Sequence, residues 1–441
     1  MKPDMRKARL LVMSAATSSI LEEVTTQIHD KLETLHDKDF ADLVRGLRSE
    51  QETGPYRRTV VAADPRQAAR RLAKQDPLWV HTSCSRPDRP LVWMFAGVGD
   101  HYPGLAADLY LCLPRFRERL DHCFETLRVG LGVDLHDVLY PDGVRPAVSD
   151  GNHRTLDLAA VFDLRDTTQE IHRTRVAQPL VFAVQYALAE AVRAMGVSPT
   201  AVLGYSVGEY VAACVAGVLP VDSALRLIAA RAGMMAELPE GAMLAVMAGA
   251  PDIAGHIDER VSLAAVDGPE LTVLAGTVDA ITNMSQVLAG EGIASKRLAA
   301  SHAFHSPMME PVVEPLRRMV GDFELRPPRV PLLSNVTGTW LTDREATDPG
   351  YWARHVRQPI RFADDLSEVW ALTSPILIEF GPGPALSRLA TRHPDRPADD
   401  SALLLRTLPG PFESNSAQAL LLNMIGRLWA TGIDVDWSDV E

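Results

Sequence analysis

Apolar and polar positions recur along this chain with two periods, and the places where the period changes divide it. Leu10-Leu11-Val12-Met13, within residues 9–14, is an apolar run of strand length. Helix-period segments follow at 18–35 and 40–50, then a strand at 58–63 and a helix at 65–74. These predict a small α/β unit. A second apolar strand at 91–95 opens a larger α/β body. Between 242 and 300 the rhythm changes: strand 242–247, short helix 253–259, strands 261–265 and 271–275, helix 279–289 and strand 295–298. That βαββαβ order predicts an inserted ferredoxin-like subdomain. Residues 141–175 are charged, Gly/Asp-rich and weakly periodic, and predict a long surface excursion. Residues 388–400 are rich in Arg, Pro and Asp, and a helix is expected near 416–430.

With 441 residues, 46% of them apolar, the chain exceeds one ordinary domain and can bury a sizeable core. The net charge of −13 and the lack of a basic block argue against nucleic-acid binding. Cys84, Cys112, Cys123 and Cys214 show no Cys-x-x-Cys spacing and read as reduced, small apolar residues of a cytosolic protein, with neither zinc nor disulfides implied. The basic start and short apolar run of the N-terminus are followed by Glu22-Glu23, and no 18-residue apolar span exists, so a buried strand explains it better than a signal peptide.

Candidate chemistry begins at Gly204-Tyr205-Ser206-Val207-Gly208-Glu209. The apolar Ala201-Val202-Leu203 precedes it and an Ala/Val-rich helical stretch follows. A strand, a Gly-flanked turn carrying one serine and a helix present a nucleophile at the turn tip, with the helix N-terminus facing any anion formed there. A serine needs a base. Ser301-His302-Ala303-Phe304-His305-Ser306 offers two histidines before a helix-like run at 311–320, on the chain leaving the insert. A cleft between insert and body would hold the serine on one wall and the histidine on the other.

These segments resemble the nucleophile and histidine motifs of the malonyl/acyl-CoA:acyl-carrier-protein transacylases found inside modular polyketide synthases. Further matches follow in order: Phe95-Ala96-Gly97-Val98-Gly99, Gln178-Pro179, Arg231, Ala264-Ala265-Val266-Asp267-Gly268-Pro269, Ser334-Asn335-Val336-Thr337-Gly338, Gln358-Pro359-Ile360-Arg361-Phe362 and Glu379-Phe380-Gly381-Pro382-Gly383. The resemblance covers nearly the whole chain. It implies an α/β-hydrolase-like core with the ferredoxin-like insert and a small α/β linker domain. The implied divisions are 1–89 as ketosynthase-side linker, 90–241 and 301–395 as the large subdomain, 242–300 as the small subdomain, and 396–441 as a post-acyltransferase linker wrapping back onto the first.

The resemblance also implies roles. Ser206 is the nucleophile and His305 the base, with His302 its rival; no carboxylate motif declares a third member. A backbone carbonyl near His355 would orient the imidazole. The N–H groups of Val98 and Val207 would form the oxyanion hole, although the family usually has glutamine at the position of Val98; because the donor is backbone, the departure spares it. Arg231 would bind the free carboxylate of a malonyl-type group, its fork suiting bidentate capture. Gln178 would contact that carboxylate or brace Arg231. Phe304 resembles the malonyl-selective form, where a smaller serine accompanies methylmalonyl selectivity, and Tyr205 departs from the usual histidine. Without the resemblance, His305 reads as a cap or core histidine, Arg231 as a surface arginine and Gly97-x-Gly99 as a strand-end turn.

The implied activity is acyl transfer from a CoA thioester through acyl-Ser206 to the phosphopantetheine thiol of an acyl carrier protein. No bound cofactor, nucleic acid or membrane is expected, and a ketosynthase is the expected neighbour through the linkers. Two other readings stay open: a proofreading thioester hydrolase on the same scaffold, which Arg231 counts against, and a non-catalytic docking module, against which Ser206, His305 and Arg231 stand together.

Overall fold

The computed structural model describes residues 7–49, 54–144, 169–398 and 402–440. Three antiparallel strands, β1 (Arg9–Ala15), β2 (Tyr56–Ala62) and β3 (Val80–Cys84), form the N-terminal sheet in that order. Strand side chains alternate between faces. On one face Leu11, Met13 and Ala15 pack with the helices Ser18–Thr34, Phe40–Ser49 and Pro65–Lys74. Leu10 and Val12, on the other, join the core shared with the C-terminal helix Ala417–Thr431. Both faces being covered explains the unbroken apolar run. The helix Pro65–Lys74 starts where Asp64 accepts from the N–H of Gln67 and Pro65 fills the first position. β3 was not expected from the sequence, because its residues are mostly half-exposed and polar.

The C-terminal helix returns onto this sheet. A Cβ at Gly426 would stand 2.7 Å from the end of the Leu10 side chain and 3.3 Å from Thr59, so glycine here lets the helix seat closely on the sheet. Arg57 donates to the Trp429 carbonyl at 2.7 Å and lies 4.9 Å over its ring.

The larger body begins with β4 (Leu91–Phe95), fully buried along its length, which pairs in parallel with β5 (Ala201–Gly204). Helices Pro114–Leu131, Thr174–Ala194 and Val221–Ala236 pack against one another on one side. Of the excursion expected at 141–175, residues 145–168 lie outside the described residues; its end is a 3₁₀ turn at Glu170–His172 and the first residues of the helix Thr174–Ala194.

The insert comprises β6 (Ala242–Val246), β7 (Val261–Gly268), β8 (Leu271–Gly276) and β9 (Ser295–Arg297), with the helix Val278–Gly290. Its sheet order β7-β8-β6-β9, every pair antiparallel, is the ferredoxin-like arrangement. The helix expected at 253–259 is instead one α-turn at Ala250–Ile253, with Gly249 at its N-cap and Pro251 in its first turn, and a 3₁₀ turn at Ala254–His256. Main-chain hydrogen bonds of 2.8 and 2.9 Å tie Val266 and Ala264 of β7 to Ile360 of the body.

A short hairpin, β10 (Leu333–Ser334) and β11 (Thr339–Trp340), precedes the last two strands, β12 (Ile376–Pro382) and β13 (Leu403–Leu408). These complete a four-stranded parallel sheet in the order β13-β12-β4-β5. β13 thus belongs to the body rather than to a linker starting at 396, and the chain leaves the body after Leu408. From the adjacent β4 and β12 the chain proceeds in opposite directions, the topology that leaves a crevice at the strands' carboxyl ends. The turns after β4, β5 and β12 meet there.

Candidate active site

β5 ends at Gly204 and the helix Val207–Ala216 begins after two intervening residues, Tyr205 and Ser206, leaving Ser206 in the bend. Both flanking glycines are required by space. A Cβ on Gly204 would lie 2.1 Å from the nitrogen of Glu209, and one on Gly208 would lie 2.1 Å from the carbonyl oxygen of Phe95. Ser206 itself has φ 54° and ψ −116°, a conformation that costs a non-glycine residue about 1–3 kcal/mol and that active-site turns retain.

His305 lies on the chain between β9 and the helix Glu310–Gly321, and its N–H donates to Val356 at 3.1 Å. Its Nε2 is 2.8 Å from Ser206 Oγ, and its Nδ1 is 2.9 Å from the carbonyl of Gln358. A carbonyl only accepts, so the ring proton resides on Nδ1, and Nε2 presents its lone pair to the serine hydroxyl. Burial, then the nearby His355 and Arg231, pushes the imidazole pKa down to about 3. The ring is therefore neutral at pH 7. His302 faces elsewhere, its Nδ1 at 2.9 Å from Ser301 Oγ and 3.1 Å from Thr174 Oγ1.

The carbonyl expected near His355 is that of Gln358, three positions on. The His355 carbonyl is a smaller influence of the same sign on His305. The His355 ring instead turns to Glu209, at 3.1 Å, and stands edge-on to His305 with centroids 5.8 Å apart. The sequence reading missed Glu209, although a lone carboxylate in the otherwise apolar helix Val207–Ala216 signalled a buried partner. Fully buried, it accepts from the Asn335 N–H at 2.8 Å and from the Tyr351 hydroxyl, and it does not touch His305.

Val207 opens its helix, so its N–H has no intrahelical partner. Val98 occupies the turn after β4 and is 43% exposed. The adjoining Gly97 is so placed that a Cβ would meet the Tyr205 ring at 3.0 Å and Ser206 Cβ at 3.8 Å. That turn and the helix start flank the nucleophile.

Arg231 is 1% exposed. It donates through Nη1 to Gln178 Oε1 and lies 5.5 Å from the Tyr210 ring centroid, while its Nε has no partner among the described residues. No carboxylate among the described residues lies within ion-pair distance of it. Burial holds its pKa below the usual arginine value, and its charge reaches His305. A buried guanidinium lacking an anion is costly unless a ligand supplies one. Phe304 packs between the two main cores with its ring 6.0 Å from that of His302. Tyr205 stands edge-on to Phe362 at 5.3 Å. It is coupled to Asp267, whose carboxyl burial pushes up to about 7 against the opposing effect of the tyrosine.

Known proteins match this architecture throughout. Residues 92–407 match the family model described as "Acyl transferase domain". A phenolphthiocerol/phthiocerol polyketide synthase polypeptide of Mycobacterium tuberculosis is 34% identical over 98% of this chain and 28% of its own length. Polyketide synthase GfsA of Streptomyces halstedii is 31% identical over 90% of this chain and 5% of its own length. The chain thus spans a small part of the curated relatives it matches. Among solved structures, the acyl transferase domain of ZmaA superposes with a TM-score of 0.85 at 29% identity, covering 99% of this chain and 97% of that one. The acyl transferase domain of SpnD, in complex with 2-(pent-4-yn-1-yl)malonyl, does so with a TM-score of 0.82 at 31% identity, covering 97% of each. No helix among the described residues is long and apolar enough to cross a membrane. A serine at a glycine-flanked elbow, a neutral histidine on its hydroxyl and a family match from β4 into β13 agree: the chain belongs to the acyl transferase domains of polyketide synthases.

Proposed function

We propose that this domain moves a malonyl-type acyl unit from CoA to the phosphopantetheine thiol of an acyl carrier protein by two successive displacements at Ser206. In the first, Oγ attacks the thioester carbonyl while His305 Nε2 takes its proton; the oxyanion faces the N–H groups of Val98 and Val207. Collapse expels the CoA thiolate, and His305 returns the proton to sulfur. The carrier thiol then repeats the sequence in reverse. Two residues carry the proton chemistry, because the Gln358 carbonyl takes the orienting place that a carboxylate holds in a triad.

The observation that carries the substrate reading is Arg231: buried beside the dyad, positively charged, braced by Gln178 and without an anionic partner among the described residues. A substrate carboxylate completes that pair. The malonyl derivative held by the SpnD domain supports the same class. Phe304 would occupy the space of an α-methyl group, and Tyr205 would shape the pocket floor beside it. In this reading residues 1–89 and 396–441, apart from β13, act as linkers toward a neighbouring ketosynthase, and the work is done in the cytoplasm.

Intact mass after incubation with malonyl-CoA tests the proposal. A stable malonyl adduct, lost in Ser206→Ala and transferred on adding a carrier protein, is expected. Hydrolysis of malonyl-CoA with no adduct and no transfer would overturn it in favour of a thioester hydrolase.

A further inference from the structure

The loop after β10 places one residue under the nucleophile. Asn335 is 1% exposed, and each of its polar groups is engaged. Its Oδ1 accepts from the Ser206 N–H at 2.8 Å. Its Nδ2 donates to the Gly204 carbonyl at 2.7 Å and to Asp365 Oδ2 at 2.9 Å. Its own N–H donates to Glu209 Oε2 at 2.8 Å, and its carbonyl accepts from the N–H of Arg361 at 2.8 Å. The amide can sit only this way round, since a flip would set its oxygen against a carbonyl and a carboxyl and its NH₂ against an N–H.

One residue therefore bridges the whole turn: its carboxamide holds Gly204 before the bend and Ser206 within it, and its main-chain N–H holds Glu209 of the helix after it. The Ser206 backbone is held where a non-glycine residue gains nothing locally, at φ 54°. Its ψ sets the plane of the peptide joining it to Val207, and so aims the Val207 N–H relative to the side chain of Ser206. We infer that Asn335 is a positioning residue for acyl transfer, fixing the nucleophile and the Val207 donor in one geometry through its bond to the Ser206 N–H. It touches neither the acyl group nor His305, and this role rests on the reaction proposed above.

The surroundings give the inference a distinctive signature. Facing the Asn335 side chain are the Gly204 carbonyl and Asp365, with Glu209 on its main chain; His355 and Tyr351 lie behind Glu209, and Arg361 and Asp364 flank Asp365. Burial, then the charge of Glu209, keeps the Asp365 carboxyl well above the usual range. A second carboxyl beside it can donate to Asp365 or to the Gly204 carbonyl only after gaining a proton.

The test is single-turnover acylation by malonyl-CoA, followed by intact mass, for the wild type, Asn335→Ala and Asn335→Asp. Amplitude counts the folded sites, and the rate constant reads their geometry. For Asn335→Ala the expected result is a rate constant lower by about 10²-fold, the scale of a misplacement near 1 Å, with an amplitude close to one adduct per chain. For Asn335→Asp the rate relative to wild type should climb as pH falls, whereas that of Asn335→Ala should not. A wild-type rate constant with reduced amplitude, or loss of all folded sites in both variants, would make Asn335 merely structural and overturn the inference. An absence of any adduct in the wild type would instead overturn the proposed reaction, so the two failures are distinct.

Discussion

The hydroxyl oxygen of Ser206 lies 2.8 Å from Nε2 of His305 although 99 positions separate the two residues. The whole insert intervenes in the chain, yet the body holds both ends of the contact: β5 and its helix carry the serine, and the main chain of Val356 and Gln358 carries the histidine. The insert therefore does not anchor the dyad. Ser206→Ala should leave no acyl adduct while keeping the fold, because the side chain sits at the turn tip. His305→Ala should slow adduct formation by roughly 10³-fold or more, and His302→Ala should cost far less. Adduct formation followed by mass checks all three, and the reverse ranking of the histidines would move the base to His302.

The pH profile of acylation carries the second prediction. His305 departs from an ordinary value of 6.5 to about 3, through burial first and then the neighbouring His355 and Arg231. Only the neutral ring serves as base. The rate from free enzyme and CoA thioester should thus stay level as pH falls through 6.5 and decline only nearer 3. Arg231→Ala removes a positive neighbour and should move that acid limb upward. A wild-type limb centred on 6.5 would mean the imidazole is solvated in the working enzyme.

How legible these features were depended on whether the signal was local. Ser206 and His305 sit in short motifs whose glycines and histidines are visible as such, and the insert announced itself through a change of period. The amphipathic pattern of Pro114–Leu131, with Phe116, Leu120, Cys123, Phe124, Leu127 and Leu131 all inward, was readable but was passed over. Thr174–Ala194 was not readable as amphipathic, because it is buried nearly all round and leaves no polar stripe. Asn335, Tyr351 and Asp365 carry no periodic signal; their roles arise only when chain segments far apart converge under the elbow. The orienting carbonyl was misplaced by three residues because any residue can supply one.

Stability should depend on pH through the buried carboxyls. Burial raises Asp267 from 3.8, and Glu379 from 4.5, each to about 7. The native state then holds protons that the unfolded chain releases between those values, so this contribution is full at low pH and is lost as pH rises through 7. The depressed His305 works in the opposite sense below 6.5, and the clean comparison is therefore wild type against Asp267→Asn, in which the histidines are unchanged. The variant's unfolding free energy should fall less steeply with pH over this window, by up to about 1.4 kcal/mol per pH unit. Parallel denaturant curves for the two proteins at every pH would refute a buried, proton-binding Asp267.

Selectivity separates Arg231 from Phe304. In the proposed reaction Arg231, buried and without an anionic partner among the described residues, would recognise charge, and Phe304, packed beside the histidine segment, would exclude bulk. Arg231→Ala removes the partner of a desolvated carboxylate, so acylation by malonyl-CoA should lose about 3–5 kcal/mol of transition-state stabilisation. Acetyl-CoA carries no carboxylate and should lose little or even gain. Phe304→Ser opens room for about one methyl group, an effect of only about 1–3 kcal/mol, so preference should drift toward methylmalonyl-CoA without switching cleanly. Competition among the three thioesters for Ser206, read as adduct masses, measures both effects at once. An unchanged malonyl-to-acetyl ratio in Arg231→Ala would remove the carboxylate-binding role. A wild type that already prefers methylmalonyl-CoA would shift steric control from Phe304 to Tyr205, whose ring lies against Gly97 and Phe362 next to the nucleophile.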